Sequence, residues 1–466
     1  QGIIFMSNID VVIMAAGKGT RMKSSMPKVL HRLGGRALLQ HVVDTARQVQ
    51  ARHTVVITGH GADQVEAMLS GQSGLQTVRQ MPQLGTGHAM QQAVPVLPDD
   101  GVTLVLSGDV PLIQANTLQA LLQLVQGDTL ALLTLQTPEP SGYGRIVRGA
   151  GEDIKAIVEE KDATPEQRLI EEIYSGVMAA PTRLLRAWLS RLDNRNAQGE
   201  FYLTDVVKFA VNDGCAVKAH RIEQAWQVEG INTPLQLAEM ERTYQLLQAH
   251  RLLAQGVRLS DPKRLDVRGE LHCAADVEID VNCIFEGSVT LGEGVRIGAN
   301  CTIINAEIGA GTQILGFTYI DGESKGVRIG NGARIGPFAR LRPGAELGDE
   351  VHIGNFVEVK NSSLAKGAKA NHLAYLGDLS VGERVNYGAG VISANYDGAN
   401  KHHTTIEADV HIGSNSVLVS PVTLGAGGTI GAGSVISKDT PAGALTVARA
   451  KQISIADWHR PAKKNK

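Results

Sequence analysis

Aromatic side chains are scarce in this sequence: Phe, Trp and Tyr together make up 4% of 466 residues. Cysteine is sparser still. The four present, Cys215, Cys273, Cys283 and Cys301, form no C-x-x-C pair, which argues against zinc and thioredoxin-like motifs and for a reducing compartment. No apolar run approaches the ~18 residues that a membrane span needs. The opening Gln1–Phe5 lacks the basic region of a secretory leader, and Met6 reads as the native start. A soluble, cytoplasmic chain with no membrane partner is therefore expected. Charge of one sign is also lacking, with a formal net charge of −2. No overall basic field recruits nucleic acid, and the short basic end Lys463-Lys464-Asn465-Lys466 reads as a solvated tail.

What the chain does have is length, glycine and two contrasting rhythms. At 466 residues, with 43% apolar and 20% charged side chains, it is globular and long enough for two or three domains. Glycine accounts for 52 residues, so small residues recurring in tight turns are expected. The first half alternates strand and helix patterns: Ile9–Met14, Leu38–Val49, Thr54–Thr58, Ala62–Leu69 and Val102–Ser107. That order predicts a doubly wound, Rossmann-like α/β domain with a mostly parallel sheet, whose ligands bind beyond the carboxyl ends of the strands. From Pro234 to Gln255 the apolar spacing predicts one helix of about six turns, ended by Gly256. After about Val267 aliphatic residues return every six positions, as in Ile329, Ile335, Leu341, Leu347, Ile353 and Val359. A six-residue period marks a parallel β-helix in which eighteen residues make one triangular turn. Small residues are expected at its corners. Cys283 and Cys301, eighteen apart, should stack inward as core thiols. The repeat breaks at Asp321–Gly326, slips near Ser363–Leu364, and leaves the pattern over Ser393–Thr405, where the chain must loop outward. The expected domains are residues 6–233, a helical linker over 234–256, and a β-helix with its tail over 257–466.

The loop Met14-Ala15-Ala16-Gly17-Lys18-Gly19-Thr20-Arg21 follows the first strand. Small residues let backbone N–H groups approach a phosphate, and Arg21 and Lys28 add charge where pyrophosphate would leave. The loop lacks the G-x-x-x-x-G-K-[ST] spacing, and a plain strand-to-helix turn is the alternative. Ser107-Gly108-Asp109 ends a strand, so Asp109 suits a magnesium ligand or a helix cap. Gln80 and Leu84-Gly85-Thr86-Gly87-His88 would read a base edge, or form an ordinary polar turn. In the second half, the shifted register turns Ala370 and Leu376 inward and leaves His372 outside. A surface imidazole is often only solvated, but here Arg342 and Lys360 offer two cations for a sugar phosphate. Tyr375, Asn386, Asn395 and Tyr396 offer hydroxyl and amide contacts. A neutral His, with an ordinary pKa near ~6.5, can take a proton from an attacking amine. Backbone N–H groups or the Ser414 hydroxyl would steady the oxyanion.

The loop, Pro27-Lys28, Gln80, Gly85-Thr86, Gly108-Asp109 and Gly142-Tyr143-Gly144-Arg145 resemble those of the bacterial bifunctional N-acetylglucosamine-1-phosphate uridylyltransferase / glucosamine-1-phosphate acetyltransferases. The similarity runs from about Ile9 to the C-terminus. It implies that Met14, Ala15, Ala16, Gly17, Gln80, Gly85, Thr86, Ser107 and Gly108 hold the uridine nucleotide, and that Arg21 and Lys28 contact its phosphates. It implies Mg²⁺ on Asp109 and Asn232, with Gly144, Glu159, Tyr174 and Asn232 around the sugar. Two positions depart from the family pattern: Ser107 where Tyr is frequent, and Tyr174 where Asn is frequent. In the second half the resemblance implies His372 as general base oriented by Glu358, and Arg342 and Lys360 on the sugar phosphate. Tyr375 and Asn386 would shape the sugar site. Ala389, Asn395, Tyr396, Ser414, Ala432 and Arg449 would meet acetyl-CoA. It further implies a left-handed coil, a homotrimer with sites between subunits, and four small-molecule substrates: UTP, N-acetylglucosamine-1-phosphate, glucosamine-1-phosphate and acetyl-CoA. The rival readings are a single-activity nucleotidyltransferase with a structural or regulatory tail, a zinc β-helix hydratase using His352, His372, His402, His403 or His411, and a non-catalytic trimeric scaffold.

Overall fold

In the computed structural model, which describes residues 8–149, 151 and 153–463, the first strand is Ile9–Met14. The expectations for the start of the chain and for 464–466 lie outside the described residues. Along this strand Val11 and Ile13 enter one apolar cluster and Val12 enters another. A strand buried on both faces reads as a continuous apolar run and requires cover on both sides. The cover includes helix Leu38–Gln48 in one cluster and helix Thr86–Ala93 in the other. The central strands run in the spatial order Val217–Ile222, Leu130–Gln136, Glu172–Pro181, Val102–Ser107, Ile9–Met14, His53–Thr58, Leu75–Arg79. Ile9–Met14 lies parallel to both its neighbours. Glu172–Pro181 runs antiparallel to both of its own, with a register shift between Tyr174 and Met178. The sheet is thus mixed. At the carboxyl ends of the central pair Met14 lies opposite Ser107.

Helix Pro234–Ala254 has explicit start and stop signals. Thr233 and Gln236 cap it reciprocally: the Gln236 N–H donates to Thr233 Oγ1 at 3.2 Å, and the Thr233 N–H donates to Gln236 Oε1 at 3.1 Å. At the other end Val257 N–H reaches Leu252 O at 3.1 Å and Gly256 N–H reaches Leu253 O at 3.0 Å, with Gly256 at φ 92°. This is a Schellman closure. The chain divides into two compact units, up to Tyr244 and from Gln245.

The second unit is a parallel β-helix. Backbone pairing joins Ile279, Ile297, Ile314, Ile335, Ile353, Ala370, Tyr387, Ile412 and Ile430 on successive coils. The steps between them are 18, 17, 21, 18, 17, 17, 25 and 18 residues. The long steps hold the expected insertions at Asp321–Gly326 and Ser393–Thr405, and the slip at Ser363–Leu364 is the 17-residue step into Ala370. The periodicity did not predict the short coil between Ile297 and Ile314, nor the one between Ala370 and Tyr387. Glycine after the aliphatic residue has a steric reason: a Cβ on Gly298 would sit 2.7 Å from the Gly316 nitrogen on the next coil. Cys283 and Cys301 are buried free thiols one coil apart, donating to Gly298 O at 3.2 Å and Leu315 O at 3.3 Å. Burial pushes Cys283 up to about 12 and Cys301 up to about 11.

The corners correct one expectation. Inward corner positions are small, as Ala333, Ala339 and Ala345 are. Outward corner positions are not limited in this way. One edge runs Asn282, Asn300, Phe317, Phe338, Phe356, Leu373, Gly390, Asn415 and Gly433, all with φ between 48° and 74°. Positive φ favours Asn and Gly, and a bulky residue there is unusual.

Candidate active sites

The first site starts from a glycine. Gly19 has φ 59°, and a Cβ there would lie 2.6 Å from the Lys28 Cβ. Only glycine therefore lets Lys28 fold back onto the loop. The Lys28 ammonium donates to Asp109 Oδ2, and at 3.0 Å to Asn232 Oδ1. Arg21 Nη2 donates to the same Asn232 oxygen at 3.0 Å, across 211 positions of chain. Backbone bonds hold the pieces together. Gly108 N–H donates to Met14 O at 2.9 Å, Ala15 N–H to Ile57 O at 2.9 Å, and Ile231 N–H to Asp109 O at 3.0 Å. Asp109 is not the cap of the following helix, Ala115–Gln123, whose N-cap residue is Gln114. The helix-cap alternative for Asp109 therefore falls away. Its carboxylate and the Asn232 carbonyl converge on one cationic nitrogen. That donor pair fits a magnesium ion taking one or two protein oxygens and completing its shell with phosphate and water. Among the described residues no group of three or more His, Cys, Asp or Glu side chains is placed to hold a metal.

Gln80 is buried, and its amide nitrogen donates to Gly85 O at 2.9 Å and meets His88 Nδ1 at 3.2 Å. The amide therefore holds the Gly85 turn in place. Thr86 Oγ1 accepts from Leu203 N–H at 3.1 Å, and the Ala16 carbonyl accepts from His60 N–H at 3.2 Å and from the Gln83 amide. No Cβ position on Gly17 has a neighbour within 4 Å, so the loop is open there. On the sugar side, Tyr174 N–H donates to Gly144 O at 2.9 Å. Glu159 Oε1 accepts from Thr204 at 2.9 Å, and burial raises the Glu159 carboxyl above its ordinary value. The Tyr174 hydroxyl is buried with no hydrogen-bond partner, and burial, reinforced by the Glu159 charge, pushes its pKa well up. Ser107 Oγ lies 3.8 Å from a Cβ position on Gly176, beside the bulge that follows Tyr174.

The second site is organised by the edge described above. His372 is exposed, immediately before corner residue Leu373. Ala389, Ser414 and Ala432 each immediately precede the same corner on later coils. Successive bonds join them: Gly390 N–H to His372 O at 3.4 Å, Asn415 N–H to Ala389 O at 2.8 Å, and Gly433 N–H to Ser414 O at 2.8 Å. Arg449 Nη1 donates to Ala432 O at 2.6 Å. Four residues implied for acetyl-CoA and the implied base thus form one track parallel to the coil axis. The His372 ring is held by Asn355 on the previous coil, whose Oδ1 lies 3.0 Å from Nδ1. This corrects the expectation that Glu358 orients the imidazole. Glu358 pairs instead with Tyr375 across the strands, and its carboxylate takes Arg342 Nη1 at 2.8 Å and Arg340 Nη1 at 3.5 Å.

Arg342 and Lys360 mark the far end of the adjoining face, since the strand Glu358–Lys360 ends beside Gly377. The Lys360 ammonium is held below its ordinary value first by Lys401, with burial and Arg342 adding to the effect. A third cation therefore stands at this end, supplied by the outward loop. That loop is braced by Asp397, whose Oδ1 accepts from Ala399 and Asn400 N–H and whose Oδ2 meets His402 Nε2 at 2.6 Å. The buried Asp378 accepts from Asn361 at 2.6 Å and Asn395 at 2.5 Å. Asn395 is thus a bracing residue for the loop, and the exposed Tyr396 bonds Gly398 O at 2.7 Å. Tyr375 lays its hydroxyl over Gly377, where an added Cβ would be 2.4 Å away. Asn386 is exposed on a different face, paired with Lys369. One copy does not bring Asn386 together with Arg342 and Lys360. Sequence reasoning missed Asn355 and Lys401. The coil register makes Asn355 the residue beside His372, whereas nothing in the linear pattern marks Lys401.

Comparison with known proteins agrees with this two-part construction. Residues 11–187 match the MobA-like NTP transferase domain family, and residues 326–361 and 403–438 match the bacterial transferase hexapeptide family. The chain is 68% identical over 465 residues to bifunctional protein GlmU of Albidiferax ferrireducens, covering 98% of this chain and 100% of that one. It is 69% identical to bifunctional protein GlmU of Polaromonas naphthalenivorans, covering 98% of each. At 53% identity, bifunctional protein GlmU of Bordetella petrii still aligns over 460 residues.

Proposed function

The chain belongs to the family of bifunctional GlmU proteins, and we infer from that membership and from the two sites above that it is an acetyltransferase and a uridylyltransferase in one polypeptide. The observation that carries the acetyl half is the straight track from His372 through Ala389, Ser414 and Ala432 to Arg449. A hydratase or a purely structural tail has no need of it.

In the acetyl reaction the amine of glucosamine-1-phosphate attacks the thioester carbon of acetyl-CoA. A C–N bond forms, the C–S bond breaks, and the amine proton passes to His372. With Nδ1–H donating to Asn355 Oδ1, the free lone pair is on Nε2, which acts as general base and returns the proton to the leaving thiolate. Arg342, Lys360 and Lys401 hold the sugar phosphate, and Ser414 or the edge N–H groups steady the oxyanion. In the uridylyl reaction a phosphate oxygen of N-acetylglucosamine-1-phosphate attacks the α-phosphorus of UTP in line, and pyrophosphate leaves. Arg21 and Lys28 neutralise the leaving charge, while the Ala15–Gly17 loop and the Gln80–Gly85 turn position the nucleotide. Mg²⁺, held by Asp109 and Asn232, would supply charge neutralisation between the phosphates. Lys28 is bonded to both of these residues, which puts its ammonium beside the place where phosphate charge would be neutralised.

The dispersal of Asn386 on one face and Arg342 and Lys360 on another supports a site completed by a second copy, as in a homotrimer. The chain holds no described helix long and apolar enough to cross a membrane; the four free thiols suit a reducing compartment, and on that ground we place the enzyme in the cytoplasm. The test is one coupled assay: glucosamine-1-phosphate, acetyl-CoA, UTP and Mg²⁺, with products resolved by mass. UDP-N-acetylglucosamine, free CoA and pyrophosphate are expected together. Pyrophosphate release from N-acetylglucosamine-1-phosphate without any consumption of acetyl-CoA would establish the single-activity alternative.

A further inference from the structure

The outward loop that brings Lys401 beside Lys360 has a narrow neck. Asn395 O accepts from His402 N–H at 2.8 Å, and Tyr396 pairs with Lys401 as an antiparallel bridge. Lys401 immediately precedes His402, so whatever holds the neck also sets where the Lys401 ammonium stands. One residue holds it from both sides. The Asp378 carboxylate accepts from the Asn395 amide at 2.5 Å, and the Asp378 carbonyl accepts from Thr404 N–H at 3.1 Å. The Asp378 N–H donates in turn to Lys360 O at 3.1 Å. Asp378 is thus bonded to Lys360 and to both feet of the loop that carries Lys401.

The residue type is informative. Asp378 is 8% exposed and turns a corner with φ 54°, immediately after the strand Tyr375–Gly377. Asn suits such a corner equally well, and Asn361 turns the corner of the coil before it with φ 45°. Amides alone can also link coils, since Asn282 Nδ2 donates to Asn300 Oδ1 at 3.0 Å on another edge. An amide, however, offers one acceptor oxygen and one donor group, whereas a carboxylate offers two acceptors. At Asp378 both are used, Oδ1 by the Asn361 amide at 2.6 Å and Oδ2 by the Asn395 amide. An Asn there would turn its own NH2 toward one of these two donors. Burying a carboxylate is costly unless it is hydrogen-bonded and paired with opposite charge. Two amides meet the first condition and Lys360 the second. Lys401, burial and Arg342 lower the Lys360 ammonium below its ordinary value, and the Asp378 charge works against them. Three cations gathered at one place repel one another until an anion arrives. The loop therefore stays closed over them only if its neck is fastened independently of the ligand.

We propose that Asp378 is a positioning residue for acetyl transfer: it clamps the neck of the outward loop to Lys360 and so holds Lys401 where, with Lys360 and Arg342, it meets the sugar phosphate. Being buried, it acts through Lys401 and not on the substrate.

This inference rests on the acetyltransferase reading of the same site. The experiment compares Asp378→Asn, Lys401→Ala and the double variant in the full-length chain, with kcat and KM measured for each substrate of acetyl transfer. Circular dichroism and uridylyl transfer report intact folding. In Asp378→Asn the KM for glucosamine-1-phosphate should rise roughly tenfold, while the KM for acetyl-CoA and the saturated kcat stay within about twofold. The double variant should be no worse than Lys401→Ala alone, because a clamp has nothing left to place once the ammonium is gone. An unaltered or lowered KM for the sugar phosphate overturns the clamp. Equal losses toward both substrates, or additive losses in the double variant, make Asp378 a stabiliser of the coil and overturn it too. Should Asp378→Asn fail to fold, Asn361→Gly carries the test. Glycine suits that corner, and losing the amide on Oδ1 lets the carboxylate turn away from Asn395. The same rise in KM, absent when Lys401 is already Ala, is expected, and an unaltered KM overturns the clamp. An unaltered chain that never consumes acetyl-CoA overturns the acetyltransferase reading and this inference with it. An active chain whose variants keep their KM overturns this inference alone.

Discussion

Asn355 and Tyr174 show how a single side chain sets local chemistry. Asn355 Oδ1 lies 3.0 Å from His372 Nδ1, which suits it to be a positioning residue. Asn355→Asp places a carboxylate against Nδ1 and stabilises the imidazolium. The acid limb of acetyl transfer should therefore move to higher pH, as measured by kcat against pH, with uridylyl transfer unaffected. Asn355→Ala should lower acetyl kcat by roughly tenfold, less than the ~10²–10⁴-fold expected on losing the base itself. Tyr174 carries a buried hydroxyl with no partner. Leaving such a group unpaired costs about 1–3 kcal/mol. Tyr174→Phe should thus raise the unfolding midpoint of the first unit in a thermal melt. A simultaneous rise in KM for the sugar phosphate would mean that the hydroxyl finds its partner on the substrate.

At the scale of the element, the β-helix is a column of aliphatic side chains punctuated by thiols and edged by left-handed corners. Burial pushes Cys283 from its ordinary 9.0 up to about 12. The folded value lies above the unfolded one, so the folded coil binds the extra proton and its stability is fully present below about pH 9. That contribution is lost as pH climbs from 9 toward 12. Urea midpoints should therefore fall over that window. They should fall less steeply in Cys283→Ala, although that variant starts lower because of the cavity. At pH 8 iodoacetamide should label Cys283 and Cys301 only after unfolding, as read by mass spectrometry of native and urea-treated chain. Labelling of the native protein at these two positions would contradict the core assignment.

At the scale of the whole molecule, the residues proposed to carry the two activities lie in different compact units, Asp109 in one and His372 in the other. The expected consequence is a clean double dissociation. Asp109→Ala removes a carboxylate from the pair proposed to hold magnesium and should abolish Mg²⁺-dependent pyrophosphate release while acetylation continues. His372→Ala should lower acetylation by about 10²–10⁴-fold while pyrophosphate release continues. Loss of both activities in either variant, with folding intact by circular dichroism, would mean that the sites are not independent.

Periodicity and turn chemistry settle from sequence alone whatever is local. The six-residue rhythm determines a β-helix because only a triangular coil returns an aliphatic residue to one narrow core every sixth position. The insertions at Asp321–Gly326 and Ser393–Thr405 are visible as interruptions of that rhythm. Pro234 and Gly256 bound the long helix because helix ends need only neighbours in the chain. Gly17, Arg21, Lys28 and Asp109 were legible as a candidate phosphate and metal site, since loop, cations and carboxylate each carry their chemistry on their face. The tertiary structure decided what depends on distance across the chain. The Lys28–Asp109–Asn232 meeting, Asn355 in place of Glu358 beside His372, and Lys401 beside Lys360 all arise when remote segments are folded together. The phenylalanine ladder belongs there too. Single rings at 317, 338 and 356 look unremarkable in a chain poor in aromatics, and only coils of uneven length, 21 and then 18 residues, bring them into one column.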